Sequence, residues 1–216
     1  MFINTRSRTS KALRQDPRFL RNEYFGENKY DIASLAISNV NDPMLDIISC
    51  KNIKENDIGN LNKTVAFFSD DPDIEKYYKN PDRYLKRLAQ YKYLFTPDYS
   101  LLTDMPIWMQ IGNVAKSRWC GRMWQEFGLS VIPTASWSTE KSFEFVFIGL
   151  PKGTSVIVST LGVRSNAEKR KLFLNGYEEM MKQVSPSTVY CYDKPFPEMG
   201  EEVVYINYLQ ATGRAS

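Results

Sequence analysis

The chain has 216 residues, 43% hydrophobic and 13% aromatic, and it contains no histidine. That zero excludes a histidine general base, Ser-His-Asp and Cys-His relays, and every metal site that uses imidazole. The net charge of +3 is too small to imply a polyanionic partner by itself, but it is unevenly spread.

Residues 1–30 carry seven Lys/Arg and three acids, a local +4, which leaves −1 for the remainder. They read as a basic N-terminal arm, either a solvated tail or a binder of phosphate backbone. Arg14, Arg18 and Arg21 fall at helical spacing, but Pro17 interrupts any continuous basic face. Basic residues rather than an apolar run follow Met1, and no stretch approaches a membrane span, so the expected location is the cytoplasm. Cys50, Cys120 and Cys191 are about seventy residues apart, too scattered for a zinc site or a disulfide scaffold. They are expected to be reduced and buried. No metal and no cofactor is called for.

Residues 31–50 read as a helix or strand as far as Asp42-Pro43, then as a strand from Met44 to Ser49. From residue 64 a unit recurs: a short apolar run, a polar turn, then a helical segment. The runs are Thr64–Phe68, Tyr93–Thr96, Ser130–Pro133, Thr154–Thr160 and Thr188–Tyr192, with starts 29, 37, 24 and 34 residues apart. They are apolar on both faces, as parallel strands covered on both sides must be. Pro81 opens a helix to Gln90. Asp104 and Gly128 bracket a longer one, and Ser165 or Asn166 caps another whose apolar stripe is Leu172, Leu174, Tyr177, Met180 and Met181. Glu202–Leu209 reads as an extra strand and 211–216 as a tail. The expected architecture is one α/β domain over 31–210 with about five parallel βα units, a partial barrel or an open twisted sheet.

Ligands of parallel α/β sheets lie at the carboxyl ends of the strands. Those positions hold Asp70 and Asp71; Asp98, Tyr99 and Ser100; Ser136 and Trp137; Ser159 and Thr160; Tyr192 and Asp193. An aspartate there often only caps the next helix, which suits Asp70 and Asp71 better than Asp98. Trp137 is either a core lid or a stacking platform. No GxGxxG or Walker loop is present. The stretch Ser159–Ser165 offers amides to an anion at a helix N-terminus, with Arg164 adding charge. Asp98 with Asp193 or Asp70 would serve as an acid–base pair or hold Mg²⁺.

The central block resembles a family. Tyr93–Ser100 (YLFTPDYS), Met105-Pro106, Asn113, Arg118, Val131–Trp137 (VIPTASW), Ser142–Phe145, Gly149, Pro151–Gly153, Ser159–Gly162 and Phe173–Gly176 occur in its order over about 62–193. The family is a domain of unknown function (4417) found in phages and mobile elements. The resemblance implies a phage or mobile-element protein and brings no assigned catalytic residue. In the family a glycine commonly follows the last tyrosine, whereas here Asp193 follows Tyr192.

The candidate ligand-binding residues are therefore Asp98, Ser100, Asn113, Arg118, Ser136, Trp137, Ser159, Thr160 and Arg164. Three functions are expected in order: binding of a nucleotide, a nucleotide-derived signal or nucleic acid to counter host defence; carboxylate- or metal-dependent hydrolysis; and a DNA replication role using the arm.

Overall fold

A computed structural model of the chain describes residues 10–212. Its core is built on short parallel strands. β1 (Ile47–Ser49), β2 (Thr64–Ala66), β3 (Tyr93–Phe95) and β4 (Val131–Ile132) form one sheet in sequence order. β5 (Val156–Ser159), β6 (Val189–Tyr192) and β7 (Val204–Ile206) form a second, also in sequence order. A parallel bridge between Thr134 and Ile157 joins them, with Ile157 N donating to Pro133 O at 2.9 Å and Ala135 N to Ile157 O at 2.8 Å. The two sheets thus continue into one curled array. It does not close into a barrel, because β7 and β1 do not pair.

Both faces of this array are buried, for the reason the apolar runs suggested. Alternate residues point inward, and Ile47, Ala66, Phe95, Ile132, Ile157, Tyr190 and Ile206, one from each strand, share a single inner cluster. Their neighbours point outward, where Val65, Leu94 and Val131 meet one helical layer and Val156, Val158 and Val189 meet another.

The helices are α1 (Ser10–Leu13), α2 (Pro17–Leu20), α3 (Asp71–Lys79), α4 (Pro81–Leu88), α5 (Ile107–Glu126), α6 (Ala167–Val184) and α7 (Leu209–Thr212). None is long and apolar enough to cross a membrane, among the described residues. Pro17 starts α2 rather than breaking a helix, because the preceding Asp16 accepts from Arg18 N. α5 begins at Ile107 without a side-chain cap. Asp104 does not cap it; Gln110 ties the approach instead, donating to Leu102 O and Met105 O. Asn166 caps α6 by accepting from Lys169 N at 2.9 Å. The buried stripe of α6 is Phe173, Gly176, Tyr177, Met180 and Val184. It is displaced from the expected one, leaving Met181 39% exposed.

Two sequence readings need correction. Residues 31–43 form neither helix nor strand. Their backbone is held by side chains and single contacts: Gln125 pairs with both Ala36 N and Ala36 O, and Ser38 O accepts from Ser155 N. Nor does a helix follow every strand, since the β4–β5 connection contains only a 3-10 turn at Glu140–Glu144. The three free cysteines are buried, as expected. Burial pushes the Cys191 thiol up to about 11 and raises Cys50 and Cys120 as well, so none is poised as a nucleophile.

The arm contributes two arginines to the body. The Arg21 guanidinium lies 4.7 Å from the Tyr78 ring centre and 4.4 Å from that of Trp119. Arg18 sits over Phe127 at 5.5 Å. These two are therefore stacked rather than solvated. Residues 1–9 of the arm and 213–216 of the tail lie outside the described residues.

Gly176 lies directly under the Trp137 ring, so any Cβ there would collide with the indole. Gly176→Ala should lower stability by about 1–3 kcal/mol by overpacking, although alanine is the better helix former. Denaturant unfolding would check this, and an unchanged or raised midpoint would refute it.

Candidate functional site

All strands being parallel, their carboxyl ends face one way, and the sequence candidates divide there into two groups. The first lies where β3 and β4 end. Thr96, fully buried after β3, accepts from Ser117 Oγ at 3.1 Å and from Thr134 N at 2.9 Å. Thr134 Oγ1 in turn donates to Thr96 O at 2.7 Å. This hydroxyl set fixes the two strand ends against α5. Directly beyond them come Asp98 and Ser136, joined by a hydrogen bond.

Arg118, projecting from α5, is 2% exposed. It donates through Nε to Ile148 O at 3.2 Å, through Nη1 to Thr134 O at 3.0 Å and through Nη2 to Val146 O at 2.8 Å. Burial lowers its pKa to about 10, still fully charged at neutral pH. Its donors are committed to carbonyls, so it positions the site and supplies a field rather than a free hand for a ligand.

Asp98 is half-buried, and desolvation pushes its carboxyl up to about 6. The Ser136 hydrogen bond and the Arg118 charge pull it down, while the neighbouring charge of Asp71 pushes it further up. The carboxylate acting on Asp98 is thus Asp71, a residue expected only to cap a helix. Asp71 accepts from Ser100 N at 2.9 Å and from Ser100 Oγ at 3.0 Å. Asn113 donates to Ser100 O at 2.8 Å. The structure therefore brings Asp98, Ser100, Asn113, Arg118 and Ser136 together and adds Asp71. A cavity of about 10 Å³ beside them is lined by Pro97, Tyr99, Leu101, Asn113, Arg118 and Ser136 among others, room for about one water.

The second group lies where β5 and β6 end. Ser159 Oγ is 3.4 Å from Tyr192 O and accepts from Leu161 N, and Thr160 Oγ1 donates to Lys194 O at 2.9 Å. Arg164 donates to Pro195 O at 3.2 Å and lies 3.6 Å from the Asp193 carboxylate. Its guanidinium is also 4.7 Å from the Phe196 ring centre. The hydroxyls here are spent within the loops, whereas Arg164 keeps part of its surface in solvent.

Trp137 belongs to neither group. It is half-buried over Gly176 and packs beside Phe173 and Phe147 at 5.2 and 6.0 Å, the geometry of a core lid. No three His, Cys, Asp or Glu side chains come together to hold a metal ion, among the described residues.

Sequence reasoning missed Thr96 and Thr134, and it read Asp71, at a strand end, as a helix cap rather than as a partner of Ser100. A signal was present: Thr96 and Thr134 are polar residues set at the ends of otherwise apolar runs.

A family model described as Domain of unknown function (DUF4417) matches residues 24–210. The chain belongs to this family. The match extends beyond the 62–193 block of motifs at both ends and takes in β1 and β7. The Gene 1 protein of Mycobacterium phage L5 is 40% identical over 146 residues, covering 64% of this chain and 64% of that protein. The Gene 1 protein of Mycobacterium phage D29 is 38% identical over 146 residues, covering 64% of this chain and 54% of its own length. This chain thus spans less than two thirds of either relative. No solved structure matches it.

Two predictions follow from charge and backbone at this rim. Asp98 binds its proton more tightly folded than unfolded, so its contribution to stability falls as pH rises from about 4 to about 6. The cost above that window is on the order of 3 kcal/mol. Asp98→Asn should therefore be more stable than the parent above neutrality and converge with it near the acid end. A variant less stable at every pH would show the carboxylate to be a structural necessity.

Asp193, with φ of 74°, occupies the left-handed region that glycine enters freely, the backbone geometry that the glycine implied by the resemblance would suit. Asp193→Gly should exceed Asp193→Ala in stability by roughly 1 kcal/mol. Equal unfolding midpoints would remove the backbone explanation.

Proposed function

We propose that this chain is a cytoplasmic phage or mobile-element protein that binds a nucleotide or a nucleotide-derived signal across the strand-end rim. The observation that carries the reading is Asp98. With its pKa near 6 the carboxyl is chiefly an anion at neutral pH, an acceptor for the amino and imino donors of a nucleobase edge, and it regains a proton only in mild acid. The Ser136 hydroxyl beside it adds an adaptable group. Arg164 and Lys194, at the ends of β5 and β6, place positive charge on the same side of the array for a phosphate. The cavity lined by Asn113, Arg118 and Ser136 is too small for a base, so the ligand lies along the rim rather than inside a closed pocket. Sequestering such a molecule would suit interference with host defence.

A second reading rests on the Asp71–Asp98 pair. Two neighbouring carboxyls with one pushed up toward neutrality are the ordinary equipment of acid–base hydrolysis. The replication reading is weaker, because Arg18 and Arg21 of the basic arm are engaged with aromatic rings.

Equilibrium dialysis against mononucleotides, NAD derivatives and cyclic dinucleotides separates these readings. The expected result is saturable binding of one class, recovered intact after heat denaturation. Asp98→Asn and Arg164→Gln should each weaken it at least tenfold. Recovery of a cleaved product would transfer the case to hydrolysis, and no binding anywhere in the panel would end the nucleotide reading.

A further inference from the structure

We propose a second binding site, for a small organic carboxylate, in the cavity beneath the N-terminal segment. This cavity measures about 70 Å³ and is lined by Arg21, Tyr24, Ile32, Tyr78, Ala115 and Trp119, with Phe25, Ala33 and Asp31 completing it. It sits on the outer side of α5, where Ala115 and Trp119 project, whereas Asn113 and Arg118 of the same helix line the cleft at the rim.

Two observations point to a ligand. Trp119 is 4% exposed, and its indole N–H is buried without a hydrogen-bond partner. The Nε–H of Arg21 is buried and unpartnered in the same way, although Nη2 of the same side chain donates to Tyr78 O at 2.6 Å. Leaving such donors unpaired costs about 1–3 kcal/mol each, and both residues border one cavity. The lining's own acceptors, the exposed Asp31 carboxylate and the tyrosine hydroxyls, bond to neither of these two donors. A carboxylate supplies two acceptor oxygens in one plane and matches the guanidinium charge.

The remaining walls set the ligand's body. Tyr24, Ile32, Tyr78, Ala115 and Trp119 are apolar or aromatic surfaces, so the group behind the carboxylate is apolar. The volume is about half of the roughly 150 Å³ that holds benzene in an engineered cavity, which limits that body to a few carbons. The single acid on the lining, Asp31, is exposed, and it opposes an anion rather than pairing with one. Arg18, whose guanidinium is 5.9 Å from both the Tyr24 and Trp119 ring centres, is already paired with Glu23 at 2.6 Å and Asp82 at 3.6 Å, so Arg21 is the charge that meets the ligand. The site is independent of the strand-end reading.

The test uses propionate and the indole ¹⁵N–H resonance of Trp119 in the full chain, assigned by its disappearance in Trp119→Phe. Propionate should shift that resonance saturably, while chloride at equal ionic strength should not. Arg21→Gln should weaken propionate at least tenfold, and Asp31→Asn should tighten it about threefold by removing the opposing charge. Should Arg21→Gln release the segment, Trp119→Phe keeps the aromatic wall and removes only the donor; its propionate-induced rise in Tm should then be reduced. An unmoved Trp119 resonance, or equal shifts with chloride, would overturn the proposal. So would a Tm rise undiminished in Trp119→Phe.

Discussion

The Arg118 guanidinium holds the molecule at its weakest junction. Two parallel sheets meet at a single bridge, Thr134 to Ile157. Arg118 binds the carbonyl of Thr134 on one side of that junction and those of Val146 and Ile148 in the following turn. A buried cation is expensive unless its donors are satisfied; here three carbonyls do so without a bonded carboxylate. The result fixes the β4–β5 connection, which has no α-helix of its own to anchor it. Because Asp98 feels the same charge, fold and candidate site share one residue.

Burial on both faces explains where polar chemistry was left to go. Outward residues of the strands meet helices and inward ones meet each other, so strand ends are the natural outlets for charge. At those ends most polar atoms are already paired: Ser100 with Asp71, Ser159 with Leu161 N, Thr160 with Lys194 O. Asp98 stands apart because burial outweighs the partners that would keep it ionised. Desolvation and Asp71 favour the acid, while Ser136 and Arg118 favour the anion.

Much of this was legible from residue order, and the failures have physical causes. The five apolar runs all carry strands, because doubly buried strands advertise themselves by unbroken hydrophobicity. Residues 31–43 misled because Ile32, Ala33 and Leu35 are buried as strand residues would be. Their backbone bonds nevertheless go to Gln125, Gly149 and Thr154, partners remote in sequence. The α6 stripe slipped because Gly176 is buried under an aromatic ring, and a glycine carries no hydrophobic signal. At the site, the strand-end rule supplied Asp98, Ser100 and Ser136, and the family resemblance added Asn113 and Arg118 from the long helix. Neither could foresee that Asp71, noted as a cap, would turn toward Ser100, since that depends on tertiary contact.

The gap between β7 and β1 has its own significance. Gln210 accepts from Ile47 N at 3.3 Å, and Asn52 Nδ2 donates to Ala211 O at 3.4 Å, so α7 leans against the strand that would otherwise be bare. An unpaired strand edge is a template on which another chain can add. The four residues of α7 therefore cover part of the margin that the incomplete curl leaves open, taking up a backbone donor on which a further strand would otherwise pair.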